Sequence, residues 1–423
     1  MRSRVLFAAL VALGMSARSA PAAAAEFPGL VVPDGLGVNI HFTHPRAGEL
    51  DMLAKAGFRW ARMDFAWGST EREKGKYDFS AYDHLLAELQ KHKVRSLWIL
   101  DYSNRHYDGG MSPATDEGRK AFARWAAAAA GRFRGHGILW EMYNEPNISF
   151  WKPKPDVKQY VKLALEVGKA LRESAPGEIY VGPATSLIDF PFIEACFQAG
   201  LLDYWDAVSV HPYRQQAPET VSPEYAKLRA LIDKHAPKGK KIPILSGEWG
   251  YSAAWRRFDE TRQGKMLPRQ FLTNLACGVP ISIWYDWHDD GPDPKEPEHH
   301  FGTVLHPYHA GRDPVYDPKP AYQAARTLAE QLDRFAFAGR VAAGGPEDHV
   351  LRFARGGDSR WVAWTTAASS REVTLPLEAG GYRVVGHTGQ ALPSRQADAA
   401  GLKITLTDAP QYLIPQPGAR TVP

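Results

Sequence analysis

Residues 137–146 read Gly-Ile-Leu-Trp-Glu-Met-Tyr-Asn-Glu-Pro, an apolar run that ends at two polar side chains and a proline. Its β-forming residues predict a buried strand over Gly137–Asn144. Helical patterns precede and follow this strand, over Asp116–Arg132 and Asp156–Ser174. The stretch therefore predicts one repeat of an alternation between strands and helices.

The same alternation extends over about 300 residues, which is the usual size of a (β/α)8 TIM barrel. The other strands are predicted at Leu36–Phe42, Phe58–Phe65, Val94–Leu100, Glu178–Gly182, Ala207–His211, Ile242–Glu248 and Ile281–Asp286. The other helices are predicted at Ala47–Ala56, Ala81–His92, Phe190–Ala199, Pro223–His235, Arg262–Cys277 and Lys319–Phe335. A doubly wound open sheet is the main rival, but no Gly-x-Gly-x-x-Gly sequence follows a predicted strand. We therefore predict a TIM barrel over residues 26–337.

The pattern changes after the barrel to short β-rich segments separated by turns such as Gly344-Gly345-Pro346. These segments are His349–Phe353, Trp361–Thr365, Glu372–Leu375, Tyr382–Val385 and Lys403–Leu406. They predict a small antiparallel β-sandwich over residues 338–423. A structural role against the barrel is the favoured interpretation, and carbohydrate binding is the alternative.

Residues 1–25 have the pattern of a secretory signal peptide, with Arg2 and Arg4, an apolar run over Val5–Met15 and an Ala-rich end. We therefore expect an exported protein, either periplasmic or secreted. The chain has 51 basic and 47 acidic residues, and its formal charge of +4 falls to +1 without this segment. Such a balance indicates no nucleic-acid or membrane partner. We also expect no transmembrane span and a monomer.

Cysteine and histidine patterns predict no metal and no cofactor. Cys196 and Cys277 permit one disulfide bridge or two free thiols. The run Glu298-His299-His300 has metal-binding residue types, but no matching group of ligands occurs elsewhere in the sequence.

Two predicted strands end at carboxylates, Glu145 after the fourth strand and Glu248 on the seventh. Strands four and seven lie on opposite sides of a barrel, so we expect these groups to face each other across its C-terminal mouth. Two carboxyl groups about 5–5.5 Å apart cleave glycosidic bonds with retention, because one donates a proton and the other attacks the anomeric carbon. Pro146 predicts an extended conformation for Glu145. Glu141 is expected deeper in the barrel, in a structural ion pair.

Aromatic residues form a second pattern, because they concentrate at predicted strand ends and sugar rings stack on aromatic faces. This group consists of Trp67, Trp98, Tyr102, Tyr143, Trp249, Trp284 and Trp287. We also expect residues 286–314 to wall one side of a substrate groove.

The triplet Asn144-Glu145-Pro146, in register with Glu248, resembles the catalytic signature of clan A glycoside hydrolases. Residues 36–42, 57–65 and 284–291 are similar to family 39 of that clan, and in particular to its exopolysaccharide endoglycosidases. The resemblance implies that Glu145 is the acid/base and Glu248 the nucleophile. It extends over the whole barrel.

The resemblance also implies roles for neighbouring side chains. Asn144 would bond the sugar 2-hydroxyl, and Arg62 would favour the ionised nucleophile. His211, which is otherwise a plain loop histidine, would lie near the nucleophile with Tyr213, and Trp284 would form a platform under the sugar. The candidate substrate-binding residues are His41, Arg62, Tyr102, Asn144, His211, Tyr213, Trp284 and Trp287.

The expected function is retaining hydrolysis of internal bonds in a polysaccharide, and the resemblance indicates an exopolysaccharide. Three alternatives stay open. An exo-acting family 39 enzyme, such as a β-xylosidase or an iduronidase-like protein, would need a pocket closed at one end. A transglycosylase would share both glutamates, whereas a non-catalytic polysaccharide-binding protein would have little reason to keep them.

Overall fold

The computed structural model describes residues 27–416, so the predicted signal peptide lies outside the described residues. A closed barrel of eight parallel strands in consecutive order confirms the predicted fold. Its strands are β1 (Leu36–Asn39), β2 (Trp60–Ala66), β3 (Arg95–Asp101), β4 (Leu139–Met142), β5 (Ile179–Ser186), β6 (Ala207–His211), β7 (Ile244–Trp249) and β8 (Ser282–Trp284).

Helices connect the strands and pack around the barrel. They are α1 (Glu49–Lys55), α2 (Trp67–Thr70), α3 (Ser80–Lys91), α4 (Asp116–Arg132), α5 (Val157–Ser174), α6 (Phe190–Gln198), α7 (Ser222–His235), α8 (Glu260–Ala276) and α9 (Pro320–Gln331). Side chains that accept hydrogen bonds from the first turn mark the start of four of them: Thr115, Asp156, Asp189 and Asp259. Cys196 lies in α6 and Cys277 ends α8, and both thiols are free. None of the helices within residues 27–416 has the length and apolar character needed to cross a membrane.

The inside of the barrel changes from apolar to polar along the strands. Its lower part is packed with side chains such as Trp60 and Leu139, which are fully buried. Two residues further along each strand, on the same face, stand Arg62 and Glu141. The interior of the barrel is therefore apolar near the N-terminal ends of the strands and contains buried charges near their C-terminal ends.

A long segment connects β8 to α9 and covers part of the barrel mouth. It contains a short 3-10 helix (Pro297–His300) and a hairpin of β9 (Val304–Tyr308) and β10 (Tyr316–Pro318). The indole of Trp287 and the hydroxyl of Tyr316 both donate to the Glu49 carboxylate of α1, at 3.1 and 2.8 Å. These bonds fix the segment to the first helix.

The C-terminal region is built from antiparallel strands, as predicted. A six-stranded sheet has the order β11-β12-β13-β18-β15-β16, and β14 pairs with β17. These strands are β11 (Ala336–Arg340), β12 (Asp348–Arg355), β13 (Asp358–Thr365), β14 (Arg371–Leu375), β15 (Gly380–Gly386), β16 (Ala391–Ala397), β17 (Leu402–Leu406) and β18 (Gln411–Pro415). The sequence patterns missed β11, β16 and β18. Two of these, β11 and β16, have mostly exposed or half-buried side chains, so they lack a clear apolar alternation.

A buried ion pair anchors the β region to the barrel. Arg269 of α8 donates two hydrogen bonds of 2.7 Å to Glu219, and the indole of Trp364 on β13 donates to the same carboxylate at 2.6 Å. Arg269 also donates to the backbone oxygen of Asp408. Bidentate pairing of this kind fixes orientation as well as distance.

Candidate active site

A cavity of about 470 Å³ opens at the C-terminal ends of the barrel strands, and every residue that lines it belongs to the barrel part of the chain. Seven of the ten predicted site residues line it: His41, Arg62, Tyr102, Asn144, Glu145, Tyr213 and Glu248. Asn39, Asp64, Phe150, Ser186, Trp255, Tyr285, Glu298 and Phe301 complete the wall.

Arg62 lies at the centre of this site and contacts residues from several strands. Its Nε donates to Glu141 at 2.7 Å, and its Nη2 donates to the Asn144 side-chain oxygen at 2.9 Å. Its Nη1 donates to Glu248 and to Asn39. The guanidinium is fully buried, so these partners replace the water that it loses. The prediction that Arg62 lies beside the nucleophile candidate is confirmed.

Glu248 is held as an acceptor from two directions. Besides Arg62, the Tyr213 hydroxyl donates to its other oxygen at 2.8 Å. Donors on both oxygens stabilise the ionised form of a carboxylate. The preceding Gly247 is required by packing, because a Cβ there would stand 2.2 Å from the Ser209 hydroxyl and 2.8 Å from Glu141.

Glu145 is buried, and one of its oxygens lies within 4.8 Å of an oxygen of Glu248. Burial raises the pKa of Glu145 to about 7, although the charge of Arg62 and a hydrogen bond with Ser186 oppose this shift. The predicted extended conformation of Glu145 is wrong, because its φ is +43°. The chain turns here while the Glu145 N–H donates to the Ala184 carbonyl at 2.9 Å, and this turn directs the carboxyl group into the cavity.

His211 supports Glu145 from beneath. Its Nε2 lies 3.3 Å from Arg62 Nη2, and its Nδ1 lies 3.0 Å from Glu145 Oε1. A guanidinium can only donate, so Nε2 accepts and Nδ1 carries the proton that is donated to Glu145. Burial, with Arg62, lowers the pKa of His211 to about 4, which keeps the ring neutral. His211 is fully buried and does not line the cavity, so the structure places it behind the two glutamates rather than on the cavity wall.

Glu141 forms the structural ion pair that the sequence predicted. It is fully buried and accepts from Arg62 and from the Ser209 hydroxyl. Glu141 lies beneath the mouth and does not line the cavity, whereas Glu145 and Glu248 line it with oxygens within 4.8 Å of each other.

Trp284 does not form the predicted sugar platform, and Trp287, another candidate substrate-binding residue, does not line the cavity. Trp284 is fully buried against the outer core, and its indole donates to the Phe301 carbonyl at 3.2 Å. Trp287 is also buried, with its indole on Glu49. Side chains alternate along a strand, so Tyr285 lines the cavity when Trp284 points outward.

Most of the other aromatic residues at strand ends belong to the core as well. Tyr102 lines the cavity, whereas Trp67, Trp98, Tyr143 and Trp249 are buried in the cluster between strands and helices. Loops supply most of the aromatic lining instead. Phe150 stacks on Tyr102 with ring centres 5.8 Å apart, and Trp255 contacts Phe301 edge to face at 5.3 Å. The expectation that residues 286–314 wall one side is confirmed by Glu298 and Phe301.

Several lining residues were missed by sequence reasoning. Asn39 and Asp64 stand on inward-facing positions of β1 and β2, two residues from Gly37 and Arg62, so strand alternation contained their signal. Phe150 and Glu298 carry no such signal, because loop geometry places them, and Ser186 ends β5 after a register shift in its pairing with β6.

Among residues 27–416, two groups of histidine and carboxylate side chains bring potential ligand atoms within 4.8 Å of one another. The first, Glu145 with His211 and Glu248, is explained by the hydrogen bonds above. The second contains His41, whose Nε2 lies 3.4 Å from Asp286. Burial opposes a rise in the pKa of His41, but the contact with Asp286 raises it to about 9. A protonated imidazole therefore stands where a metal ion would supply the positive charge. The absence of a metal stays a prediction.

Comparison with known proteins supports the interpretation of this cavity. A scan against protein-family models gives no match, and a search of curated proteins gives none either. The structure is similar to a family 39 glycoside hydrolase from the gut symbiont Bacteroides cellulosilyticus WH2, with 25% identity and a TM-score of 0.78, over 92% of this chain and 81% of that one.

Two more distant structures share the fold. A family 39 β-xylosidase from Caulobacter crescentus has 17% identity and a TM-score of 0.64, over 94% of this chain and 99% of that one. A family 30 endoxylanase from Clostridium papyrosolvens has 11% identity and a TM-score of 0.62, over 93% and 98%. These two likenesses show the shared fold alone, whereas the likeness at 25% identity supports a glycoside hydrolase.

Proposed function

We propose that this chain is a retaining glycoside hydrolase that cleaves internal bonds of a polysaccharide, specifically an exopolysaccharide. The observation that carries the retaining mechanism is the pair of carboxyl oxygens of Glu145 and Glu248 within 4.8 Å of each other. Inverting enzymes keep their two carboxyl groups about 6.5–9.5 Å apart to admit a water molecule. The oxygens of Glu145 and Glu248 lie closer together than this range, which supports retention.

In the first step Glu248 attacks the anomeric carbon while Glu145 gives its proton to the departing oxygen. The pKa of about 7 keeps Glu145 protonated in mildly acidic solution. Arg62 and Tyr213 both donate to Glu248 and hold its carboxyl group in place for the attack. The bond from carbon to the leaving oxygen breaks as the bond to Glu248 forms.

In the second step the ionised Glu145 takes a proton from water, which attacks the anomeric carbon and releases Glu248. The Nδ1–H of His211 stabilises the Glu145 carboxylate during this half of the reaction. The side-chain oxygen of Asn144 accepts a hydrogen bond from Arg62, so its amide hydrogens can donate to a sugar hydroxyl.

The apolar side of the mouth supports cleavage of internal bonds. We define it as Tyr102, Met111, Phe150 and Leu187, on the loops after β3, β4 and β5. Met111, Phe150 and Leu187 are the exposed large hydrophobic side chains of the described residues, at 41%, 42% and 55%. The departing oxygen stands beside Glu145, so the leaving part of the polymer lies over these loops. A surface of this kind suits sugar rings beyond the cleaved bond.

Substitution of each glutamate tests the proposed roles. We expect Glu248→Gln to lose activity on every substrate, because no nucleophile remains. Glu145→Gln should lose activity on the polysaccharide but retain the first step on aryl glycosides whose leaving group needs no proton. Glu372→Gln on β14 is a matched control that should match wild type. Equal loss on both substrate classes in a folded Glu145→Gln protein would contradict the assignment.

Product lengths distinguish internal from terminal cleavage. We expect purified exopolysaccharide to yield intermediate oligosaccharides first and a rapid fall in viscosity. Release of single sugars from one end would instead support the exo-acting alternative. Export is proposed from residues 1–25, and the N-terminal sequence of the protein recovered outside the cytoplasm tests it.

A further inference from the structure

Two carboxylates of the cavity wall form no ion pair, although the charge of Asp64 acts on Arg62 and His41. Asp64 of β2 and Glu298 of the segment after β8 both line the cavity. Within residues 27–416, neither forms an ion pair with a lysine, arginine or histidine. Burial, together with the charges of Glu248 and other nearby carboxylates, raises the pKa of Glu298, as expected for a carboxyl group close to other negative charges.

A second acid, Asp101, is buried next to Asp64. Asp101 lies behind it, fully buried, and neither of its carboxyl oxygens accepts a hydrogen bond from a described residue. Burial and the neighbouring Asp64 raise the pKa of Asp101 well above its usual range. The raised pKa favours the protonated form of Asp101, whose carboxyl group interacts with that of Asp64. Two adjacent carboxyl groups share a site in this way when only one of them ionises.

The cations near the cavity are already engaged. Arg62 contacts both Glu141 and Glu248, so one positive charge is shared by two carboxylates. His41 is paired with Asp286. The cavity therefore has excess negative charge, and its walls hold no free cation for a carboxylate or sulfate on a sugar.

We propose that this carboxylate side, defined as Asp64, Glu298 and the supporting Asp101, binds a sugar with a free protonated amine, that is, a hexosamine without its N-acyl group. Carboxyl groups that form no ion pair within the protein offer an ammonium group ion pairs that a hydroxyl or an acetamido group does not form. The same charges repel uronic acids, which argues against the iduronidase-like alternative. The inference rests on the proposed glycosidase function and adds the class of substrate.

The test compares oligosaccharides that differ only in the group on C2. We would measure the dissociation constants of β-1,4-linked oligomers of glucosamine, N-acetylglucosamine and glucose by calorimetry, with wild type, Asp64→Asn, Glu298→Gln and the control Glu372→Gln. We expect wild type and the control to bind the amine oligomer about tenfold more tightly than either neutral oligomer. Each cavity variant should lose most of that ratio, and added salt should reduce it in wild type.

Three results would overturn the proposal: equal or tighter binding of a neutral oligomer, an unchanged ratio in both cavity variants, or no binding of the amine oligomer. Thermal unfolding of each variant shows whether it is folded. If neutral glycosides are cleaved with retention while no amine preference exists, the inference fails and the proposed function stands. If the two catalytic glutamates can be replaced without loss of activity, the proposed function itself fails.

Discussion

The two sides of the barrel mouth differ in chemistry although the same kind of strand end builds them. On the carboxylate side, Asp64 and Glu298 line the cavity and form no ion pair within residues 27–416. On the apolar side, Phe150 and Leu187 expose large hydrocarbon surfaces next to the acid/base candidate. The difference teaches that the barrel fixes the positions of Glu145 and Glu248, whereas the loops determine the chemistry of the wall on either side of them.

Arg62 joins the two sides, and its removal has the largest expected effect. We expect Arg62→Met to reduce the free energy of unfolding by about 3–5 kcal/mol, because Glu141 would remain buried without its partner. Activity should be lost as well, since Glu248 loses a donor. Chemical denaturation measures the first effect. The double variant Arg62→Met, Glu141→Gln should recover part of the stability, and failure to do so would show that the Glu141 charge is not the cause.

The carboxylate side is tested by how the free energy of unfolding of Asp101→Asn depends on pH. The raised pKa means that folded Asp101 keeps its proton, whereas the unfolded chain releases it above the ordinary value of 3.8. Wild type therefore loses stability as pH rises from that value toward the folded pKa, by about 1.4 kcal/mol per pH unit, and asparagine does not titrate. We expect the free energy of unfolding of the variant, relative to wild type, to increase with pH. A difference independent of pH would contradict a protonated Asp101.

The apolar side is tested by Phe150→Ala. We expect its kcat/KM for the polysaccharide to fall by roughly 2- to 10-fold, the value of one aromatic contact, and to fall less for a short aryl glycoside. Leu187→Ala on the same side should show a smaller decrease. Steady-state kinetics on both substrates measure the ratio. Equal decreases on the long and short substrates would place Phe150 outside the leaving-group region.

Trp287 lies outside both sides, so its replacement has the smallest effect. We expect Trp287→Phe to cost about 1 kcal/mol of stability through the lost hydrogen bond to Glu49. The KM should match wild type, because the side chain does not reach the cavity. Thermal unfolding and kinetics measure the two quantities. A raised KM with unchanged stability would restore the substrate-binding role that the sequence suggested for Trp287.

The sequence predicted the positions of Glu145 and Glu248 better than the residues that form the cavity walls. Glu145 and Glu248 follow from strand position, because barrel order fixes which strand ends face each other. Asn39 and Asp64 were within reach, since each shares a face with a residue already placed in the barrel. The tryptophans were chosen by chemical type, and the alternation along β8 turns Trp284 into the core. Phe150 and Glu298 depend on loop paths that no periodicity encodes.

The central claim is that Glu145 and Glu248 act as acid/base and nucleophile in a double displacement. The most direct measurement is the anomeric configuration of the first product, followed by NMR while the enzyme cleaves its polysaccharide. We expect the new reducing end to appear with the configuration of the bond that was cleaved, and to mutarotate only afterwards. Initial appearance of the opposite anomer would mean a single displacement by water, and would contradict the account.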